Sequence, residues 1–445
     1  MLRTFLAAIL MVMAQAGQAQ IGGAGVGLPA VRLPQVPGVG LPDLARTAGA
    51  VDTQVAADVR RLRIRDLLRT QATVVEADPR GNPVMRGEVL AFSPSDGAVD
   101  RARAAGYSVL RERSLDGLDS RIVVLQVPPR ISIRRALRQL RSLDPGGTYD
   151  FNHLYFESGE LSKAVGATER VADAQPSSVS TPSGKLGLID GGVEVDHPVF
   201  HEATIHPHGC DSAMVPSEHG TAVASLLMGH AVRFRGADPG AELYAADVYC
   251  GRPAGGAVDA VADAFAWLVR ERVPVINISL VGPPNAMLEA VVLRVIARGA
   301  LIVAAVGNDG PAAPPLYPAA YRDVIGVTAV DARQHVLIEA GRGPQVKFAA
   351  PGADMAAACL AGKFSAVRGT SFAAPIVAGL LAADLAAPGT TSAQRAVAAL
   401  ISSAIDLGAR GPDNVYGNGL VGESVRPELA LVTEPAQPEL TSRSH

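Results

Sequence analysis

The sequence predicts an α/β fold with a doubly wound parallel sheet over residues 184–423, preceded by a small α+β domain over residues 52–155. Three observations support this. Five short apolar runs, "KLGLID", "ELYAADVY", "VPVINISL", "ALIVAAVG" and "DVIGVTAV", have the composition of strands covered on both faces. Helical patterns lie between them, among them "GTAVASLLMGH", "AVDAVADAFAWLVRER" and "AMLEAVVLRVIARG". Upstream, two amphipathic helical patterns are interleaved with four strand-like ones in the order β-α-β-β-α-β.

In the upstream unit, "VDTQVAADVRRLRIRDLLR" has helical spacing. "GEVLAF" is expected as a strand, and "SDGAVDRARAAG" as a helix opened by Ser95 and closed by Gly106. "YSVLRER" and "SRIVVLQV" are the next strands. "SIRRALRQLRSL" is an amphipathic helix and "TYDFNHLY" the last strand. That order is ferredoxin-like. With no clustered catalytic groups, the unit by itself reads as an independent binding domain.

The ends are different in character. Arg3, the apolar run Phe5 to Met13 and small residues around Ala14–Ala19 form a signal-peptide pattern over residues 1–19. The run is too short to span a bilayer, so a secreted or periplasmic protein without an integral membrane segment in its mature chain is expected. Residues 20–51 are a Gly/Pro-rich linker, residues 156–183 a polar linker, and residues 424–445 a polar tail. Net charge is −3 over 445 residues, which leaves no basic footprint for nucleic acid. Three cysteines in an exported chain suggest one disulfide and one buried thiol. Cys210 and Cys250 both fall near the carboxyl edge of the sheet and are the expected pair. Cys359, in "MAAACL", is the expected free thiol.

Three segments supply an acid, a base and a nucleophile. Asp190 ends "KLGLID", His219 opens the helix "HGTAVAS", and Ser371 follows a Gly-Thr turn in "GTSFAAP". A serine hydroxyl needs an imidazole to take its proton, and the imidazole needs a carboxylate to hold its tautomer. Parallel sheets gather such groups at strand carboxyl ends. Each residue alone has a plainer reading: a turn-forming Asp, a surface His, a Ser that merely caps a helix. Asp196 competes with Asp190 but lies past the strand. "HEATIHPH" spaces His201 and His206 five apart, which is not H-E-x-x-H, and reads as a surface loop, so no metal ligand is assigned.

"LGLIDGGVEVDHPVF", "HGTAVASLLMG" and "RGTSFAAPIVAG", in the order Asp, His, Ser, resemble the three active-site blocks of the subtilisin family. A fourth block, "LIVAAVGNDGP", is similar to the family's oxyanion segment. The resemblance covers roughly residues 184–422. It implies a serine endopeptidase in which His219 deprotonates Ser371, Asp190 orients His219, and Asn308 binds the oxyanion. It implies a substrate cleft lined by Ser279, Leu280, Val281, Gly282, Ala304, Ala305 and Gly307. Protein or peptide substrates follow, with no cofactor required and structural calcium unassigned. The family has Ser-Leu-Gly-Gly where this chain has Ser-Leu-Val-Gly, so Val281 is expected to narrow the pocket for the residue before the cut.

Family members are made with a ferredoxin-like propeptide. The resemblance therefore implies that residues 52–155 are an intramolecular inhibitor, removed by a cut between Tyr155 and Pro182 after the domain's last strand enters the cleft. A permanently attached domain is the alternative. His219 separates the chain from sedolisins, which use glutamate there. G-T-S-F-A separates it from the G-x-S-x-G of α/β-hydrolases. A non-catalytic relative would have lost a triad residue. An esterase or transacylase could use the same three groups.

Overall fold

The computed structural model describes residues 60–161 and 184–429. The expected signal peptide, the Gly/Pro-rich linker, the start of the small domain, residues 162–183 of the polar linker and the tail from 430 onward lie outside the described residues.

After a helical stretch over 60–70, the small domain forms an antiparallel sheet. Its strands run in the order Thr148–His153, Pro83–Phe92, Ser120–Gln126, Ser108–Leu115, and short Val75–Ala77 adds to Pro83–Phe92. Two helices, Asp96–Ala104 and Ile133–Leu143, connect the strands. Each begins at a serine whose hydroxyl accepts a free helix N–H: Ser95 from Ala98 and Ser132 from Arg135. Helix Ile133–Leu143 turns Ile133, Ala136, Leu137 and Leu140 inward, the spacing of one helical face. This is the ferredoxin-like arrangement.

The larger sheet has seven parallel strands. Their order is Val346–Pro351, Ile325–Val330, Leu301–Ala305, Val275–Ile278, Gly184–Asp190, Ala241–Asp247, Ile205–His208. Alternate residues feed two cores: Leu186, Leu188, Val303 and Ala305 face one, Ile189, Ile276, Ile278 and Ala304 the other. Helices Glu218–Met228 and Thr370–Ala383 cover the first face, and Val258–Arg270 and Ala286–Ala297 the second. Leu90, Phe92, Leu115, Leu118, Ile122 and Val124 of the small domain join that second core, so the small sheet lies against those two helices.

Three local expectations change. The segment around "HEATIHPH" is an edge strand at Ile205–His208 and not a loop, because it pairs in parallel with Ala241–Asp247. His206 stacks on Tyr244 at 4.3 Å and His208 on Trp267 at 4.5 Å, and Pro207 is tolerated at an edge. The last strand of the small domain stays in its own sheet. The chain that enters the cleft comes after it, within the expected linker. The tail begins later than 424: the Arg426 guanidinium donates to the carbonyl oxygens of Ala353 and Asp331, and Ala356 N–H donates to Pro427 O at 2.7 Å.

Candidate active site

Strand Gly184–Asp190 sits where the winding of the sheet reverses, between Ala241–Asp247 and Val275–Ile278. The crevice outside the carboxyl ends at such a point is where these sheets collect functional groups. Asp190 is the last residue of that strand and wholly buried; its Oδ1 accepts the N–H of Gly191 at 2.7 Å. His219 lies in the first turn of helix Glu218–Met228, which Ser217 caps by accepting the Gly220 N–H at 2.9 Å. Gly220 allows this close packing, since a Cβ there would meet Gly191 O at 2.2 Å. His219 Nδ1 is 2.8 Å from Asp190 Oδ1, so the Nδ1–H donates to the carboxylate and leaves the Nε2 lone pair free. Buried Nε2 has no hydrogen-bond partner among the described residues. Burial pulls the His219 pKa down, but the carboxylates of Asp190 and Glu157 outweigh it and the net direction is up.

Ser371 is the second residue of helix Thr370–Ala383 and is also fully buried. Its hydroxyl lies against the carbonyl oxygens of Ser158 and, at 3.1 Å, Ser279. Asn308 Nδ2 donates to that same Ser158 oxygen at 2.6 Å, and the Ser371 N–H points at it from 3.3 Å. The orientation of the Asn308 amide is set from behind, because Thr370 N–H donates to its Oδ1 at 3.1 Å. Thr370 Oγ1 in turn accepts the Gly307 N–H at 3.1 Å. Gly369 is required here: it sits at φ +138°, and a Cβ would come 2.9 Å from Asn308 Nδ2.

The chain holding Ser158 crosses the site extended. Phe156–Glu157 pairs antiparallel with Leu280–Val281, and Glu160–Leu161 pairs with Val367–Arg368. Buried Tyr155 donates its hydroxyl to Pro283 O at 2.5 Å and its N–H to Gly256 O at 2.9 Å. Its ring fits because residue 282 is glycine; a Cβ there would lie 2.7 Å from the ring. Of the other expected cleft residues, Ser279 and Gly307 supply hydrogen bonds near Ser371, and Leu280 and Val281 the strand edge. Ala304 and Ala305 are buried in their strand.

Glu157 brings a second carboxylate. One ligand atom each from Glu157, Asp190 and His219 lies within 4.8 Å of the others. Cys210, Cys250 and Asp247 form the other such group among the described residues, but the two sulfurs are joined in a disulfide with Cα atoms 5.4 Å apart. Cys359 is a buried thiol, pushed up to about 11 by burial.

Four residues in this geometry were not singled out in the sequence, Ser158, Glu157, Gly159 and Phe372, and Gly369 and Thr370 were read only as the turn before Ser371. "YFESGEL" carries only a weak signal, a polar linker beginning with two aromatics, and strands of two residues have no readable period.

A sequence profile of the Subtilase family matches residues 183–419, more than half of the chain. Subtilisin amylosacchariticus of Bacillus subtilis subsp. amylosacchariticus is 30% identical over 298 residues, covering 64% of this chain and 77% of that protein. Subtilisin BL of Lederbergia lenta is 33% identical over 243 residues, 53% of this chain and 88% of its own. Among solved structures, fervidolysin from Fervidobacterium pennivorans, described as a keratinolytic enzyme related to subtilisin, superposes with a TM-score of 0.63 at 18% identity. It matches 81% of this chain, which spans 62% of fervidolysin, and supports the fold alone. The chain belongs to the subtilase family and is a serine-type endopeptidase.

Proposed function

We propose that this endopeptidase is made as an exported precursor, that Asp190, His219 and Ser371 are its triad, and that its first substrate is its own Ser158–Gly159 bond. One observation carries the reading: Asn308 Nδ2–H, Ser371 N–H and the Ser371 hydroxyl all converge on the Ser158 carbonyl oxygen. Such donors stabilise negative charge on a carbonyl oxygen under attack, and backbone pairing on both sides of Ser158 holds the chain as a substrate is held.

The reaction follows from these positions. The Ser371 hydroxyl turns to His219 Nε2, gives up its proton and attacks the Ser158 carbonyl carbon. Asp190 holds the imidazole in the Nδ1–H tautomer and stabilises the imidazolium. Charge gathers on the Ser158 oxygen between Asn308 and the Ser371 N–H. The imidazolium then protonates the Gly159 nitrogen, the C–N bond breaks, and water activated by His219 releases the acyl group. No organic cofactor enters. The small domain, followed by Phe156–Glu157 still paired to Leu280–Val281, remains as an inhibitor. Val281 pairs with Phe156, two residues before Ser158, on the edge that holds this segment.

The test is to express the chain without residues 1–19 and sequence the N-terminus of the stable product. The native chain should begin at Gly159, and Ser371→Ala should stay full length. Asn308→Ala should slow conversion by about 10²–10³, the loss that follows removal of an oxyanion donor in subtilisin itself. A native product starting elsewhere would refute the cleavage assignment. Conversion of Ser371→Ala at the native rate would refute the nucleophile.

A further inference from the structure

We infer that this enzyme selects glycine immediately after the scissile bond, and that Phe372 enforces the choice. The inference rests on the self-cleavage reading above and extends it to substrates supplied from outside. Gly159, the first residue past the proposed cut, has no room for a side chain. A Cβ built on it would lie 2.5 Å from Phe372 Cε2, 3.1 Å from Cζ and 3.3 Å from Cδ2. Contacts under 3.0 Å force something to move, and the surroundings resist it.

Phe372 follows the nucleophile on helix Thr370–Ala383, is wholly buried and belongs to the larger domain's core. Its ring centroid is 5.4 Å from that of His219, so swinging the ring that way disturbs the base. The substrate chain cannot retreat either. A Cβ on Gly369 would come 2.9 Å from Gly159 Cα and 3.2 Å from Ser158 O, so the two backbones already pass in contact. Residue 159 is also tethered on both sides, through Glu157 paired with Leu280 and Glu160 paired with Arg368. Sliding the chain to relieve Phe372 would break one ladder or pull the Ser158 carbonyl off Asn308.

The substrate class that follows is an extended protein segment presenting a small residue followed by glycine. A single unaccommodated methyl in a closed apolar subsite corresponds to a loss of about 10–200-fold in kcat/KM.

The purified, self-processed protein is assayed with the peptide Leu-Tyr-Phe-Glu-Ser-Gly-Glu-Leu, the sequence of residues 154–161, and with the same peptide carrying alanine in place of its glycine. The glycine peptide should be cut between Ser and Gly, and the alanine peptide at least about tenfold more slowly in kcat/KM. Phe372→Leu, which keeps an apolar core residue but withdraws the ring edge, should narrow that ratio. Because the native comparison needs no variant, poor folding of Phe372→Leu would not blunt the test. Equal rates for the two peptides would overturn the glycine preference while leaving the endopeptidase reading intact. So would cleavage of unfolded protein without cleavage of either peptide. Failure to cut any substrate, with Ser371 unreactive to a sulfonyl fluoride, would overturn both.

Discussion

At His219 two carboxylates work against burial. The imidazole is enclosed, which disfavours its charged form, yet Asp190 and Glu157 together hold its pKa above the ordinary value. Glu157 is itself pushed up, first by burial and also by Asp190, with His219 opposing. In the proposed triad a raised histidine pKa would delay general-base chemistry, because the proton must leave Nε2 before Ser371 could use it. If the chain is cut after Ser158 as proposed, Glu157 lies on the segment being cut, and its charge would act on that reaction. Glu157→Gln removes one of the two raising charges and should lower the His219 pKa. The acid limb of self-processing, followed as single-turnover conversion against pH, should then move to lower pH. An unmoved limb would mean the Glu157 charge does not reach the imidazole. Asp190, His219 and Ser371 were legible as residues because each sits in a short block with its own local geometry. Glu157 was not, since only the path of the chain brings it beside a histidine 62 positions later.

At the scale of elements, helix starts do two jobs. Asn285 Oδ1 caps helix Ala286–Ala297, accepting from Met287 and Leu288 N–H at 3.1 and 3.0 Å. Its Nδ2 reaches into the small domain, donating to Phe151 O and His153 Nδ1, each at 2.9 Å. Asp150 adds a carboxylate at the same helix end, accepting the Ala286 N–H at 2.7 Å. Asn285→Ala in the Ser371→Ala precursor should therefore cost about 1–2 kcal/mol, the upper part of the range for a lost cap, read from denaturant unfolding. A loss below about 0.5 kcal/mol would put the cap at the bottom of that range and show that the added contacts contribute nothing. The long helices were readable from their 3.6-residue period. The edge strand Ile205–His208 and the two-residue strands at 156–157 and 160–161 were not. They form because another backbone edge lies alongside, and nothing in their own residues requires extension.

Across the whole molecule, the small domain is fastened to the larger one by buried polar groups as well as by apolar packing. Arg111 forks onto Glu88 at 2.8 and 3.0 Å and donates to Asp259 at 2.9 Å, and Asn152 donates to both carboxylates. A second cluster joins Asp78, His153 and Asn285. Because His153 Nδ1 accepts from Asn285, its Nε2–H faces Asp78 Oδ2 at 3.2 Å. Burial pushes the Asp78 carboxyl up, but hydrogen bonds from His153, Asn82 and the Arg80 N–H outweigh it and bring it down to about 2. A folded value below the unfolded one stabilises the fold at pH above the unfolded value, and that contribution fades as pH falls toward the folded value. The Ser371→Ala precursor should lose up to about 2 kcal/mol between pH 4 and pH 2 from this group. Asp78→Asn should be less stable at pH 5 and should lose less on acidification. Parallel pH profiles for the two proteins would refute the assignment.

The sequence by itself determined the larger parallel sheet, the ferredoxin-like order of the elements before it, and the family. Each of these rests on patterns within a few residues of one another, where period, capping and turn chemistry act locally. Tertiary structure decided which residues meet across long separations: that Ser158 and not the small domain's last strand lies under Ser371, and that Thr370 aims the Asn308 amide. It also decided that Phe372 fills the space beside Gly159. Those facts depend on close packing between distant segments, where a single Cβ decides whether two backbones can touch, and no local pattern encodes that distance.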